Sequence, residues 1–224
     1  MIRAIIFDFD GLILDTEVSY YQTWREIYAE YECELPFATW AKCIGGSSQL
    51  FDPCAFLEEQ IGRPIPCEEV RQQRRQRHLE LITAQSALPG VETYLQDARR
   101  LGLQIGLASS SSHNWVDSHL ERLGILDYFD SIQCFDDVNH TKPDPELYLA
   151  VLHALHVRGD EAIALEDSPN GVLAAQRAGI FCVAVPNPIT NLLPLEHADM
   201  RLSSLADISL EDLLAAVLLR SNRI

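Results

Sequence analysis

Short runs of β-branched and aromatic residues alternate with helical segments through the second half of the chain, and few folds satisfy that alternation. Leu103–Ala108, Ser131–Phe135, Ala162–Leu165 and Phe181–Val185 each read as a buried strand. Helices around Asn114–Leu123, Pro145–Leu155 and Gly171–Ala178 separate them, with Pro145, Gly124 and Gly179 as punctuation. Such alternation builds a doubly wound parallel sheet covered by helices on both faces. The run Ala4–Phe7 supplies one more strand near the start. From Glu17 to about Ala84 the chain is instead polar, charged and helix-favouring, with no strand-like run. The expected organisation is an α/β core from residues 1–16 and 85–224, interrupted by an inserted all-α domain over 17–84. That insertion begins directly after the first strand, where it is placed to cover the strand end. A last amphipathic helix is expected near Leu210–Leu219.

Composition excludes several classes of partner. The chain has 224 residues and a formal net charge of -16, which opposes binding to nucleic acid or to anionic membranes. No apolar run has the length of a membrane span, and the amino terminus lacks the layout of a signal peptide. A cytoplasmic protein, monomeric for want of any sign to the contrary, is the expectation. The six cysteines (Cys33, Cys43, Cys54, Cys67, Cys134 and Cys182) have no paired spacing and read as reduced structural thiols. His113 and His140 read as solvated loop histidines.

In an open parallel sheet, ligands bind beyond the carboxyl ends of the strands, so what each strand delivers there matters most. The first delivers Asp8 and Asp10, two residues apart and therefore on the same side. Two acids on a buried strand end need a cation or a proton between them. The second strand ends in Ser109-Ser110-Ser111-Ser112, hydroxyls and amides suited to phosphate or, equally, to capping a helix. After the third comes Thr141-Lys142-Pro143-Asp144-Pro145, a lysine in a proline-braced loop. The fourth ends in Glu166-Asp167-Ser168-Pro169-Asn170-Gly171, a second acidic pair. Hard oxygen ligands select Mg²⁺, for which Asp8 and Asp167 are natural ligands. A carboxylate aligned with phosphorus can attack it, Lys142 and Ser109 can neutralise and position the phosphoryl group, and Asp10 can carry the proton.

These segments resemble, in order and spacing, the four motifs of the haloacid dehalogenase superfamily. Asp8–Gly11 matches Asp-x-Asp-Gly, Ser109 the hydroxyl after the second strand, Lys142 the lysine, and Glu166-Asp167 the acidic pair. Their wording is similar to the β-phosphoglucomutase-like phosphatase subgroup, with a Rossmann-like core and the helical block as a C1-type cap. The resemblance implies Asp8 as nucleophile and Asp10 as general acid and base. It implies Mg²⁺ held by Asp8, the carbonyl of Asp10 and Asp167, with Glu166 in or near the shell. Ser109, Ser110 and Lys142 would hold the phosphate of a small phosphorylated metabolite. An acid at the second motif position separates phosphatases and mutases from dehalogenases.

Two departures weigh against a mutase. The cap stretch Ile44-Gly45-Gly46-Ser47-Ser48-Gln49 lacks the arginine that follows Gly-x-Ser in phosphoglucomutases, and Tyr20 and Tyr21 stand where those enzymes place a histidine. The helical run carrying Arg71, Arg74, Arg75 and Arg77 reads as a solvated face paired with local acids, or as the source of one cation (Arg74) for the distal end of a substrate. The favoured activity is a Mg²⁺-dependent phosphatase acting through an aspartyl phosphate, with sugar phosphates among the candidate substrates. A phosphosugar mutase and a catalytically silent phosphate-binding protein are the alternatives.

Overall fold

The computed structural model describes residues 1–40 and 51–221. In chain order its elements are β1 (Ala4–Phe7), α1 (Thr16–Glu30), α2 (Phe37–Trp40), α3 (Pro53–Ile61), α4 (Cys67–Thr83), α5 (Val91–Arg100), β2 (Gln104–Ala108), α6 (His113–Leu123) and β3 (Ser131–Gln133). They continue with α7 (Glu146–Ala154), β4 (Ala162–Glu166), α8 (Pro169–Arg177), β5 (Phe181–Ala184), β6 (Met200–Arg201) and α9 (Leu210–Ser221). Two compact units result: Asp15–Gln85, and Met1–Leu14 joined to the chain from Ser86 onward. No described helix is long and apolar enough to cross a membrane.

The second of these units holds one six-stranded sheet in the order β3-β2-β1-β4-β5-β6. Every pairing is parallel. This is the Rossmann-like, doubly wound arrangement expected from strand–helix alternation. Every residue of β1 is buried, as a central strand covered on both faces requires. Ala4, Ile6, Ala164 and Cys182 share one face with Leu147 and Val151 of α7 and Val172 and Ala175 of α8. The alternate residues Ile5 and Phe7 point to the other face. On that side Phe7 meets Phe129 edge-to-face, with ring centroids 6.1 Å apart.

Register carries the consequence for function. Phe7 stands level with Leu107 on one side and with Leu165 on the other. The next residues, Asp8, Ala108 and Glu166, therefore emerge together at the carboxyl edge. The strand order reverses direction at β1, and the crevice of a doubly wound sheet opens at such a reversal.

Some expectations needed correction. The third strand stops at Gln133 rather than Phe135, because the Cys134 amide turns out of the ladder to donate to Asp137 Oδ2 at 2.8 Å. Helix α8 starts at Pro169 rather than Gly171, since the Ser168 side chain caps it and accepts from the Gly171 amide. Neither α5 nor the two-residue β6 was anticipated.

The Asp15–Gln85 unit is wholly helical among the described residues. Asp15 caps α1 through the Val18 amide, and Asp52 caps α3 through Cys54 N, with Pro53 at its first turn. Trp24, Tyr28, Trp40, Leu57 and Val70 form its core. The expectation of uniformly reduced thiols fails here, because Cys54 and Cys67 form a disulfide. Spacing along the sequence gave no hint of it. The starts of α3 and α4 bring the two residues together, with Cα atoms 5.9 Å apart across a separation of 13. Cys33, Cys134 and Cys182 remain free. Cys43 and the Ile44–Gln49 stretch lie outside the described residues.

Gly106 of β2 shows how tightly α7 is laid on the sheet. A Cβ there would stand 2.4 Å from Val151 Cγ1 and 3.2 Å from Leu155 Cδ1. Gly106→Ala is expected to lower stability by about 1–3 kcal/mol through overpacking, read from the midpoint of urea unfolding.

Candidate active site

Four segments of the sheet-bearing unit meet at its carboxyl edge. Asp8 follows β1 and is 6% exposed, Glu166 ends β4 and is fully buried, and Asp167 follows it at 2%. One carboxylate oxygen from each of the three lies within 4.8 Å of the others. Lys142 enters from the loop between β3 and α7, its side chain 6% exposed. Its Nζ donates to Asp8 Oδ1 at 2.5 Å, to Glu166 Oε1 at 2.6 Å and to the Ala108 carbonyl at 2.8 Å. All three donors of the ammonium are thereby used.

A second layer of partners holds the acids. Tyr148 of α7 donates its hydroxyl to Glu166 Oε1 at 2.7 Å, and burial pushes the phenol well above its ordinary pKa, so it stays protonated. Glu166 Oε2 accepts from the amides of Asp167 and Ser168. Both Glu166 oxygens thus have protein donors, which suits a residue that holds Lys142 at least as well as one that binds an ion. Asn187 donates to Asp167 Oδ2 at 2.8 Å.

Two glycines give these carboxylates their room. Gly11 has φ +82°, and a Cβ on it would fall 2.2 Å from Asp167 Oδ2. A Cβ on Gly171, in the first turn of α8, would fall 1.9 Å from Glu166 Oε2.

Asp10 stands apart from this acidic cluster. Its Oδ2 accepts from Ser111 Oγ at 2.6 Å and its Oδ1 from Trp115 Nε1 at 3.1 Å. The two aspartates of one strand end therefore sit in different surroundings: one among acids and an ammonium, the other between neutral donors. Ser109 is buried at the end of β2 and its Oγ accepts from the Ser111 amide at 3.0 Å, whereas Ser110 is exposed. Trp115, Tyr148, Asn187 and Gly171 were not singled out from sequence. His113 is more than a solvated loop residue: it opens α6 and its ring meets Asp137 at 2.7 Å and Asp117 at 3.1 Å.

The electrostatics ask for a cation. Burial, then Glu166, push Asp8 up to about 8 against the opposing pull of Lys142. Burial also works against the charge on Lys142, but Asp8 and Glu166 outweigh it and hold the amine above its ordinary value. Three acids against one ammonium leave negative charge in excess in a dry site. A divalent ion with oxygen preference fits that deficit and that donor set.

The arginines of α4 divide. Arg71 pairs with Asp52 at 2.7 Å, Arg75 with Glu68 at 2.9 Å, and Arg77 with Glu26 at 3.0 Å. Arg74 is 9% exposed and lies over the Tyr20 ring at 4.2 Å, with no partner for Nη1 among the described residues.

A site of acids and one lysine at the reversal point of a doubly wound sheet is suited to phosphoryl transfer. Residues 5–185 match the haloacid dehalogenase-like hydrolase family, and the chain belongs to it. It is 50% identical to YhcW of Bacillus subtilis strain 168, named as a candidate phosphatase, over 96% of this chain and 97% of that one. It is 30% identical to the phosphorylated carbohydrates phosphatase of Thermotoga maritima, over 80% of this chain and 82% of that one. Among solved structures it is similar to β-phosphoglucomutase from Clostridium difficile, at TM-score 0.72, 28% identity and 96% coverage of each chain. It also resembles a CbbY variant from Rhodobacter sphaeroides in complex with xylulose-(1,5)bisphosphate, at TM-score 0.71 and 27% identity, covering 94% of this chain and 98% of that one. The class is that of phosphoric monoester hydrolases.

The raised pKa of Asp8 has a sign that can be checked. Between about pH 4 and 8 the folded chain holds a proton on Asp8 that the unfolded chain has lost. The metal-free protein should therefore lose stability as pH rises through that window. In a chelator at pH 8, Asp8→Asn should melt above the native protein, and a saturating divalent ion should raise the melting temperature of the native protein but not of Asp167→Asn. Thermal melts monitored by circular dichroism test both.

Proposed function

We propose that the protein is a Mg²⁺-dependent phosphatase of small phosphorylated metabolites, sugar phosphates among them, working through an aspartyl phosphate on Asp8. The observation that carries this reading is the buried set Asp8, Glu166, Asp167 and Lys142, with Asp10 held outside it by neutral donors. Asp8 Oδ attacks phosphorus while the P–O ester bond breaks, and its electron pair goes to the departing oxygen. Asp10 gives that oxygen its proton. Asp10, now ionised, takes a proton from a water molecule whose oxygen attacks the acyl phosphate, releasing inorganic phosphate and restoring Asp8. Lys142 neutralises phosphoryl charge, and Ser109 and Ser110 hold the phosphate oxygens. Mg²⁺, held by Asp8, Asp167 and the Asp10 carbonyl with Glu166 in or near its shell, would supply the remaining charge compensation. Residues 17–84 would act as the cap that selects the substrate.

The relatives named for phosphorylated carbohydrates support the substrate class. A phosphosugar mutase is the second reading, favoured by one observation: Arg74 is buried with no acidic partner among the described residues, a cation suited to a second phosphate. A protein that bound phosphate without turnover would make no use of a separately held Asp10.

Asp8→Asn is expected to abolish phosphate release from p-nitrophenyl phosphate in Mg²⁺, a loss of at least about 10⁴-fold; turnover that survives would sink the nucleophile assignment. A panel of metabolites, followed for free phosphate and for transfer between positions of a hexose, separates phosphatase from mutase, with release to water expected to dominate.

A further inference from the structure

We propose that Trp115 is a positioning residue for Asp10: with Ser111 it clamps both oxygens of the proton-carrying carboxyl in one orientation. The inference rests on the phosphatase reading above. Each Asp10 oxygen accepts one bond, Oδ1 from Trp115 Nε1 at 3.1 Å and Oδ2 from Ser111 Oγ at 2.6 Å. An indole N–H donates and never accepts, so the Asp10 oxygen facing it must be an acceptor and a proton on the carboxyl sits on the other oxygen.

The indole is itself immobilised. Trp115 stands edge-to-face on His119, with ring centroids 4.4 Å apart and planes at 78°. His119, 6% exposed, lies nearly parallel to Phe9 at 6.3 Å. Phe9 is the residue between the two aspartates, so the chain of contacts from Asp10 through Trp115 and His119 returns to the strand end it started from. Ser111, Trp115 and His119 recur at intervals of four, and Trp115 and His119 therefore share one face of α6.

This brace answers a difficulty specific to the site. Asp8 and Asp10 follow one strand end two residues apart, and an unrestrained Asp10 would compete for Lys142 in the acidic cluster. Held by two neutral donors, Asp10 stays outside the group formed by Asp8, Glu166 and Asp167. Its carboxyl is then aimed before substrate arrives, which is where orientation gains most of its rate.

Leaving-group dependence tests this. p-Nitrophenyl phosphate and phenyl phosphate are similar in shape, but phenolate is the poorer leaving group and needs the proton more. Trp115→Phe keeps the ring and removes the donor. It should lower kcat/KM, which reports the steps up to departure of the leaving group, roughly tenfold or more on phenyl phosphate and less than about threefold on p-nitrophenyl phosphate. Ser111→Ala, measured in parallel, should skew the same way and decides the matter if Trp115→Phe does not fold. Equal losses on both substrates, or no loss on either, would overturn the clamp. Asp8→Asn run alongside reports on the underlying reading independently: activity remaining there condemns the aspartyl-phosphate route through Asp8, whatever the Trp115 variant does.

Discussion

The site depends on one buried ammonium. Lys142 Nζ touches Asp8, Glu166 and the Ala108 carbonyl, and so binds β1, β4 and β2 to the loop before α7. Desolvating an amine and two acids is costly unless each finds its partners, and here the partners are supplied completely. Tyr148 and two backbone amides saturate Glu166, and Asn187 steadies Asp167. What remains is more acid than the single ammonium balances among Asp8, Glu166 and Asp167. That surplus suits a divalent cation beside the residue proposed to attack.

Lys142 lies well beyond the end of β3 and was marked by its proline-braced loop, whereas Asp8, Glu166, Asp167 and Ser109 stand where strands run out, which is visible in the sequence as the close of an apolar run. The sheet itself was legible for the same reason. Trp115 was not, because nothing in α6 distinguishes an indole that donates to a carboxylate from one that fills a core; the repeat of four from Ser111 to His119 was the available signal. Gly171 was hidden too, since a glycine in the first turn of a helix looks like a weak helix former rather than space for the neighbouring acid. The Cys54–Cys67 disulfide escaped because only the packing of α3 against α4 makes those two residues neighbours. Strand β6, two residues long at a sheet edge, has too little pattern to detect.

The two aspartates illustrate how one short segment can deliver the same side chain into two surroundings. They follow one strand end and share a residue type, and differ in what faces them. Asp8 looks onto acids and an ammonium, and Asp10 onto a hydroxyl and an indole. Glu166, Lys142, Ser111 and Trp115 make the distinction, so the difference in surroundings belongs to the tertiary structure and not to the motif itself.

The level register of β1 with β2 and β4 also bears on how such a chain can diverge. A residue gained or lost within any of these strands would invert which face its last side chain takes, and scatter Asp8, Ala108 and Glu166 to different heights. A link that places no side chain at the site carries no such register restriction. The sheet therefore behaves as a ruler read at one mark, while such a link is at liberty to be lengthened, shortened or replaced. The segment from Asp15 to Gln85, an entire helical unit hung between β1 and the rest, is what that liberty permits.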